Sequence, residues 1–440
     1  MILSKKLSDS FLDTNSFAIY GLGITGSSVL KFFKKKRVKN FTAWDDNKYI
    51  RKFNKLNKKN TQKDFLKYLD KADYIILSPG ISIENSTFKK KLLENKKKII
   101  TDLDIFYILN SQTKSIMVTG SNGKSTTCKI IEHVLKNTNY DVNLVGNIGK
   151  PILNIKIKKN SLVVIEASSF QLNYSQFIKP NYAIILNITK NHLDRHITMK
   201  NYKKAKFKIF FNQKKEDLAF LESKYLKNFY KKNNFKGKLK NVSIKKYELI
   251  KKKIQNIYLK SKVNNQNMSF VYQLVKEFKI KDYLFTKSVN SFKGLEHRHE
   301  IFYIKKNISF INDSKGTSFE ATKNALFSNK NIYWILGGYP KKDDFFSIKN
   351  FKKNIIKAYV IGKNTSFFEK QISNKIPYIV SGDLNKAIKD IYNDIKLTKN
   401  IKATILLSPA AASYDQFKNF EERGKYFKSL IKKNKKIFYV

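Results

Sequence analysis

The sequence predicts an α/β protein built in three segments on parallel sheets. Three observations carry this expectation. Short β runs alternate with longer helical stretches from end to end. Two glycine-rich turns, Gly21-Leu-Gly-Ile-Thr-Gly26 and Gly120-Ser-Asn-Gly-Lys-Ser-Thr126, each follow an apolar run. Strand ends followed by Gly or Ser-Pro recur in all three segments, and open α/β sheets bind ligands at the carboxyl ends of their strands.

The first segment, residues 1–112, has predicted strands at Phe17–Tyr20, Phe41–Trp44 and Tyr74–Leu77 and a helix from about Ser27 to Lys36. The second, 113–291, opens on Ile116-Met-Val118 and has strands at Leu162–Ile165 and Ala183–Leu186. Its Lys/Asn-rich stretch, about 225–265, reads as a β-rich or loop excursion. The third, 292–440, has strands near Ile308–Ile311 and at Ile332–Leu336, Ala358–Ile361 and Thr404–Leu407, then an amphipathic helix over Asp415–Gly424 with Gly424 as its stop.

At 440 residues and 42% hydrophobic content the chain can build two to four globular cores. Its single cysteine, Cys128, excludes an internal disulfide and suits a reducing compartment. The first residues lack a long apolar stretch and no apolar run reaches membrane-spanning length. A cytoplasmic monomer that uses no membrane is expected. The formal charge of +54 invites a nucleic-acid reading. However, only five of the 88 basic residues are arginines: Arg37, Arg51, Arg195, Arg298 and Arg423. Nucleic-acid surfaces favour the arginine fork, and the lysines are dispersed. A solvated lysine surface with no nucleic-acid partner is expected. In such a background a retained arginine marks a need for its planar geometry.

The second glycine turn is the strongest chemical signal. A strand, a glycine-rich loop and Lys-Ser-Thr at a helix start suit a nucleotide triphosphate, with backbone N–H groups and the helix N-terminus on the phosphates. Gly120, Asn122, Gly123, Lys124, Ser125 and Thr126 form this candidate site, although the loop is two residues shorter than the general pattern. Glu166 ends the next strand, where a carboxylate can hold Mg²⁺, and Ser168 follows. His192, Asp194, Arg195 and His196 lie within five residues in a chain with five histidines. His133 and Cys128 read as structural. The first glycine turn, with Asp45 about twenty residues on, matches a dinucleotide fingerprint, but any nucleotide diphosphate satisfies its physics. Lys341, Ser413 and the N-terminus of the last helix suggest a cationic lip for a small dicarboxylate.

These motifs, in this order, resemble those of the Mur ligases, the ATP-dependent amide-forming enzymes of peptidoglycan precursor synthesis. Gly120-Ser-Asn-Gly-Lys-Ser-Thr, Glu166-Ala-Ser-Ser, Asn187…His192-Leu-Asp-Arg-His, Ala205-Lys206, His297-Arg298 and Asn312-Asp-Ser-Lys-Gly-Thr317 are all similar to theirs. Ser168-Ser-Phe-Gln-Leu172 and the ending Leu407-Ser-Pro…Lys-Asn-Phe-Glu-Glu-Arg-Gly424 are similar to the D-glutamate-adding branch. The resemblance implies a Rossmann-like N-terminal domain for UDP-N-acetylmuramoyl-L-alanine, a central P-loop-type ATPase domain, and a Rossmann-like C-terminal domain for D-glutamate. Gly23, Ile24, Thr25, Asp45, Asp46, Ser78, Gly80 and Asn147 would meet the sugar nucleotide, with Ser168 beside them. Lys124, His192 and Lys206 would be catalytic. Ser125, Glu166 and His192 would hold Mg²⁺, joined by Lys206 once CO₂ has converted it to a carbamate. Asn264, Asn267, Arg298 and Asp313 would complete the ATP site, and Thr317, Lys341, Ser413 and Phe420 the D-glutamate pocket. Asn47 stands where the family often has a basic residue near the uracil. Competing readings are a folylpolyglutamate synthase, a nucleic-acid-stimulated ATPase and an NAD-dependent oxidoreductase.

Overall fold

The computed structural model describes residues 10–56, 61–260, 264–341, 344–397 and 402–434. The described chain forms two compact units, one running up to Asn290 and the other from Ser291 onward. The first unit holds two sheets and the second holds one.

The first sheet comprises β1 (Phe17–Tyr20), β2 (Phe41–Trp44), β3 (Tyr74–Leu77) and β4 (Ile99–Ile100), all parallel, in the order β2-β1-β3-β4. The order reverses between β1 and β3, so the loops after these strands flank the crevice where such sheets take ligands. Helix α1 (Ile24–Lys36) begins three residues before the expected Ser27. The cause is close packing: a Cβ on Gly26 would lie 1.8 Å from Gly21 O, so Gly26 serves inside the first turn rather than before it.

The second sheet comprises β5 (Ser115–Thr119), β6 (Val142–Gly146), β7 (Leu162–Glu166), β8 (Tyr182–Ile185), β9 (Leu218–Leu221) and β10 (Lys238–Asn241). Its order is β10-β9-β8-β5-β7-β6, all parallel. The expected strands are here, and β5 lies between β7 and β8. The loops after these three strands therefore converge. Helices α2 (Lys124–Lys136), α3 (Ser169–Tyr174), α4 (Leu193–His196) and α5 (Met199–Phe207) leave those loops or follow them. One apolar core joins both sheets of this unit, from Phe17, Val29 and Phe33 to Met117, Ile165 and Phe210.

The stretch 225–265 corrects the expected β-rich excursion. It is mainly helical, with helices at Lys224–Lys232 and Ile244–Lys251 and only the short strand β10. Leu226 and Tyr230 in one helix and Tyr247 and Ile250 in the other are buried at i, i+4 and i, i+3 spacings. Lysines between them hid that period. Helix α6 (Asn265–Glu277) then packs against α2.

The third sheet has β11 (Glu300–Lys305), β12 (Ile308–Asn312), β13 (Ile332–Gly337), β14 (Ile355–Ile361), β15 (Tyr378–Gly382) and β16 (Ala403–Leu407). The order is β11-β12-β16-β13-β14-β15, parallel except for the antiparallel edge strand β11. Apolar clusters cover both faces, which explains why its central strands read as unbroken apolar runs.

The expected Asp415–Gly424 helix is also corrected. The last helix, α7, runs Phe420–Lys433 with Asn419 as its cap, and Gly424 lies inside it. Gly424 is there for space, not as a stop. A Cβ would come within 2.2 Å of His297 Nδ1 and 3.0 Å of Asn312 Oδ1. Such overpacking costs about 1–3 kcal/mol, more than the ~1 kcal/mol of helix propensity that alanine adds. Gly424→Ala is therefore expected to lower the thermal melting point of the chain. An unchanged or raised melting point would show that the His297 ring gives way freely.

Asp102 supplies a pH-dependent expectation. It opens the helix Asp102–Leu109, fully buried, with Oδ1 lacking a partner. Burial first, and then the charge of Asp104, push its pKa up to about 6. The folded state therefore binds this proton more tightly than the unfolded state, and the group's contribution falls as pH rises from about 4 to about 6. Above that window the buried charge is a standing cost, on the order of 3 kcal/mol at most. Asp102→Asn is expected to raise the melting point at pH 7.5, with the gain shrinking near pH 4.5. A gain of equal size at both pH values would count against the assignment.

Candidate active site

The centre of the first unit is the loop after β5. Gly123 caps α2 with φ +84°, and its missing Cβ makes room for Asn267, whose Oδ1 would otherwise lie at 2.2 Å. Asn267 donates to Asn264 Oδ1 at 3.1 Å, and Asn264 donates to Tyr258 O at 2.9 Å. The two buried asparagines thus back the loop as a pair. Lys124 Nζ donates to Gly120 O (2.8 Å) and Ser121 O (3.0 Å), so its cation curls over the loop. Ser125 and Thr126 are buried in the first turn of α2.

Two residues that the sequence reading did not put forward shape this loop. Asn187, just past β8, accepts from Asn122 N at 3.0 Å and donates to Asn122 O and to Gln266 Oε1. Tyr202 on α5 shares a hydrogen bond with Ser121 Oγ at 3.0 Å. Asn187 opens a motif that was read for His192, Asp194, Arg195 and His196. For Tyr202 no sequence signal existed.

Glu166, at the end of β7, is 1% exposed. Its Oε1 accepts from Asn147 Nδ2 at 3.0 Å, and its Oε2 has no protein partner. A buried, unpartnered carboxylate oxygen is costly unless a cation or donor meets it. Asn147 N also donates to Glu166 O at 2.9 Å, so Asn147 orients this carboxylate. Ser168 caps α3 in a reciprocal pair with Gln171.

Lys206 on α5 is buried beside the loop. Its Nζ donates to Gly120 O (2.8 Å) and Thr119 Oγ1 (3.3 Å) and lies 4.7 Å from the Tyr202 ring centre. Burial first, and then the Lys124 charge, hold its pKa well below the usual lysine range, with Glu166 opposing. His192 caps α4 at φ +54°, exposed, its ring edge-on to Phe170 at 4.9 Å. His196 is buried, bonded through Nε2 to Ser169 Oγ at 3.0 Å, and pushed down to about 4 by burial and then by Lys206. His133 bonds Ser288 O at 2.9 Å, in keeping with a structural role. Cys128 is fully buried in α2, and its thiol is pushed up by burial.

In the first sheet, Gly23 and Ile24 are exposed at the start of α1, with Thr25 half-buried. A cavity of about 650 Å³ adjoins them, lined also by Ser27, Tyr49 and Phe53. Asp45 accepts from Leu22 N at 2.6 Å and so pins the glycine turn. Asp46 accepts from Tyr20 Oη at 2.6 Å. Ser78 Oγ donates to Gly21 O at 2.7 Å, and Gly80 is exposed beyond it. Asn47 caps the next helix by accepting from Tyr49 N, while Arg51 lies 4.2 Å over the Trp44 ring and donates to Asp45 O. Arg51 is a further retained arginine, and its scarcity was the available signal.

In the second unit, adjacent strands β12, β16 and β13 carry the candidates on the loops at their ends. Asp313 is buried, accepting from Ser408 Oγ at 2.5 Å and His299 N at 3.0 Å, and burial raises it to about 6. Arg298 Nε is buried without a hydrogen-bond partner. Thr317 is half-buried. Ser413 is buried and Lys341 exposed, and their loops pair through Tyr339 and Ala412. Phe420 opens α7 under the Lys315 ammonium, 4.8 Å away. The helix N-terminus named for the expected lip lies at Phe420, and its first turn carries Glu421 and Glu422. Arg423, 1% exposed, ties Ser314 O and Ala411 O together at 2.8 and 3.0 Å.

A glycine loop with Lys124 after β5, a buried acid with an open oxygen at the end of β7 and the buried Lys206 on α5 suit an enzyme that uses a nucleotide triphosphate. Comparison with known proteins narrows the class. Residues 118–287 match the Mur ligase middle domain, and residues 15–100 the N-terminal domain of MurD-like Mur ligases. The chain is 32% identical to the UDP-N-acetylmuramoylalanine–D-glutamate ligase of Rickettsia bellii, covering 94% of this chain and 96% of that one. It is 34% identical to the enzyme of that name from Rickettsia prowazekii (94% and 97%) and 32% identical to that from Fusobacterium nucleatum (94% and 98%). Among solved structures, MurF from Acinetobacter baumannii shares the fold at TM-score 0.55 and 14% identity, covering 78% of this chain and 81% of that one. MurC from Thermotoga maritima does so at 0.54 and 16%, covering 96% and 100%. The chain belongs to the Mur ligase family, the ATP-dependent ligases of peptidoglycan precursor synthesis.

Proposed function

We propose that this chain joins D-glutamate to UDP-N-acetylmuramoyl-L-alanine in the cytoplasm, using ATP and passing through an acyl phosphate. The observation that carries the reading is Glu166 Oε2, a buried acid oxygen without a protein partner, within electrostatic reach of Lys206 on α5 next to the phosphate loop. The names of the relatives point to the same two substrates.

A carboxylate is a poor electrophile, so it must first be activated. The γ-phosphoryl of ATP passes to an oxygen of the L-alanine carboxylate. The bond to the β,γ-bridging oxygen breaks and ADP leaves. The neutral amine of D-glutamate then attacks the acyl carbon, the carbon–oxygen bond to phosphate breaks, and the amine proton is lost as phosphate departs. The protein's part is positioning and charge. Lys124 and the α2 N-terminus hold the phosphates, with Asn187, Asn264 and Asn267 keeping the loop in shape. Mg²⁺ fits the oxygen donors present: Glu166 Oε2 and the Ser125 hydroxyl would hold it, with His192 at the rim, and it would offset phosphate charge. Mg²⁺ usually keeps several waters and phosphate oxygens as ligands. A neutral Lys206 amine is what attack on CO₂ requires, and the carbamate would add two anionic oxygens to this donor set. The sugar nucleotide is assigned to Gly23, Ile24, Thr25, Ser78 and Gly80, and D-glutamate to Thr317, Lys341, Ser413 and Phe420 of the second unit.

Oxygen-18 in the L-alanine carboxylate tests the acyl phosphate. One labelled oxygen should appear in the released phosphate. Unlabelled phosphate would exclude the intermediate.

A further inference from the structure

Arg195 is one of five arginines in a chain whose other 83 basic residues are lysine, and its contacts use both Nη groups and the guanidinium carbon. Nη1 donates to Gly80 O at 3.2 Å and Nη2 to Ile81 O. The plane lies 4.5 Å over the Phe170 ring. Phe170 in turn stacks on His196 (5.5 Å, 13°) and meets His192 edge-on. On the other side, Ile81 fills the space that a Cβ on Gly21 would take, at 2.6 Å, and Ser78 Oγ holds Gly21 O. An unbroken series of contacts thus runs from the glycine turn of the first sheet through Ile81, Arg195 and Phe170 to the histidines beside Lys206.

We propose that Arg195 is a positioning residue, one that holds the Ser78–Ile81 loop, a wall of the sugar-nucleotide site, in register with the phosphate site of the second sheet. The inference rests on the functional reading above. A lysine could not replace it. An ammonium can donate to two carbonyls, as Lys124 does, but it has no planar face to set against Phe170 at the same time.

The test is steady-state kinetics of the full chain with UDP-N-acetylmuramoyl-L-alanine, D-glutamate and ATP, each varied in turn. Arg195→Lys is expected to raise KM for the sugar nucleotide about tenfold, the scale of a lost charge-assisted hydrogen bond, with KM for ATP within twofold of wild type. Phe170→Leu should shift the same constant, and the double variant should be no worse than Arg195→Lys alone, because both act along one path. Thermal melts of each variant separate positioning from folding. A lowered melting point with an unmoved sugar-nucleotide KM, or fully additive single effects, would overturn the proposal. If the wild-type chain releases no phosphate with these substrates, the functional reading falls and takes this one with it. If wild type is active and KM does not move, this inference alone fails.

Discussion

Lys124→Ala is expected to lower the ligation rate by about 10²–10³. The ammonium is seated on Gly120 O and Ser121 O, inside the loop that would cradle the triphosphate. There it meets phosphate charge without reorganising, which is where an electrostatic contact is worth most. Lys206 cannot take over, because it is committed to Gly120 O and Thr119 Oγ1 and burial holds it below the ordinary lysine range. Lys124→Arg should recover little, since the broader planar guanidinium does not put a compact point charge at the same place in the loop. The measurement is kcat at saturating ATP, with a thermal melt to show that the variant is folded. A folded alanine variant within tenfold of wild type would mean that the loop backbone alone carries the phosphates.

Lys206→Ala should be nearly inactive and partly restored by a short carboxylate such as formate or acetate. The side chain is buried beside the phosphate loop, so its removal frees room there on the scale of a small anion. If the working form of Lys206 is a carbamate, the missing chemistry is two oxygens, and a carboxylate supplies them. If the working form is an ammonium, a carboxylate restores nothing and methylamine is the better rescue. ¹³C-labelled bicarbonate offers a readout apart from activity: wild type should show a carbamate carbon signal that Lys206→Ala lacks. Full activity in the alanine variant, or rescue by amine alone, would remove the carbamate from the account.

Much of this was legible in the chain because local rules and tertiary needs agree there. The strands at Phe17–Tyr20 and Leu162–Glu166 are buried in parallel sheets, so they appear as apolar runs bounded by turn residues. The phosphate loop was legible for the same reason: its glycines and Lys124 are required by backbone geometry and charge. Two helices between residues 224 and 251 were missed because each buries few apolar side chains and lysine fills the rest. Gly424 misled because a helix-interior glycine looks like a stop until His297 is seen against it. The pairing of Asn267 with Gly123, and of Asn187 with Asn122, joins residues scores apart in sequence, and no local pattern announces such contacts. The arginines were informative because lysine had displaced that residue almost everywhere its planar fork was not needed.

The amino-acid acceptor decides the function. A phosphate-release assay should be run with ATP, Mg²⁺ and UDP-N-acetylmuramoyl-L-alanine, adding each amino acid in turn. Phosphate release that requires both the sugar nucleotide and D-glutamate, and is indifferent to DNA or RNA, is the predicted result. Turnover with another amino acid and not with D-glutamate, or turnover driven by nucleic acid, would contradict it.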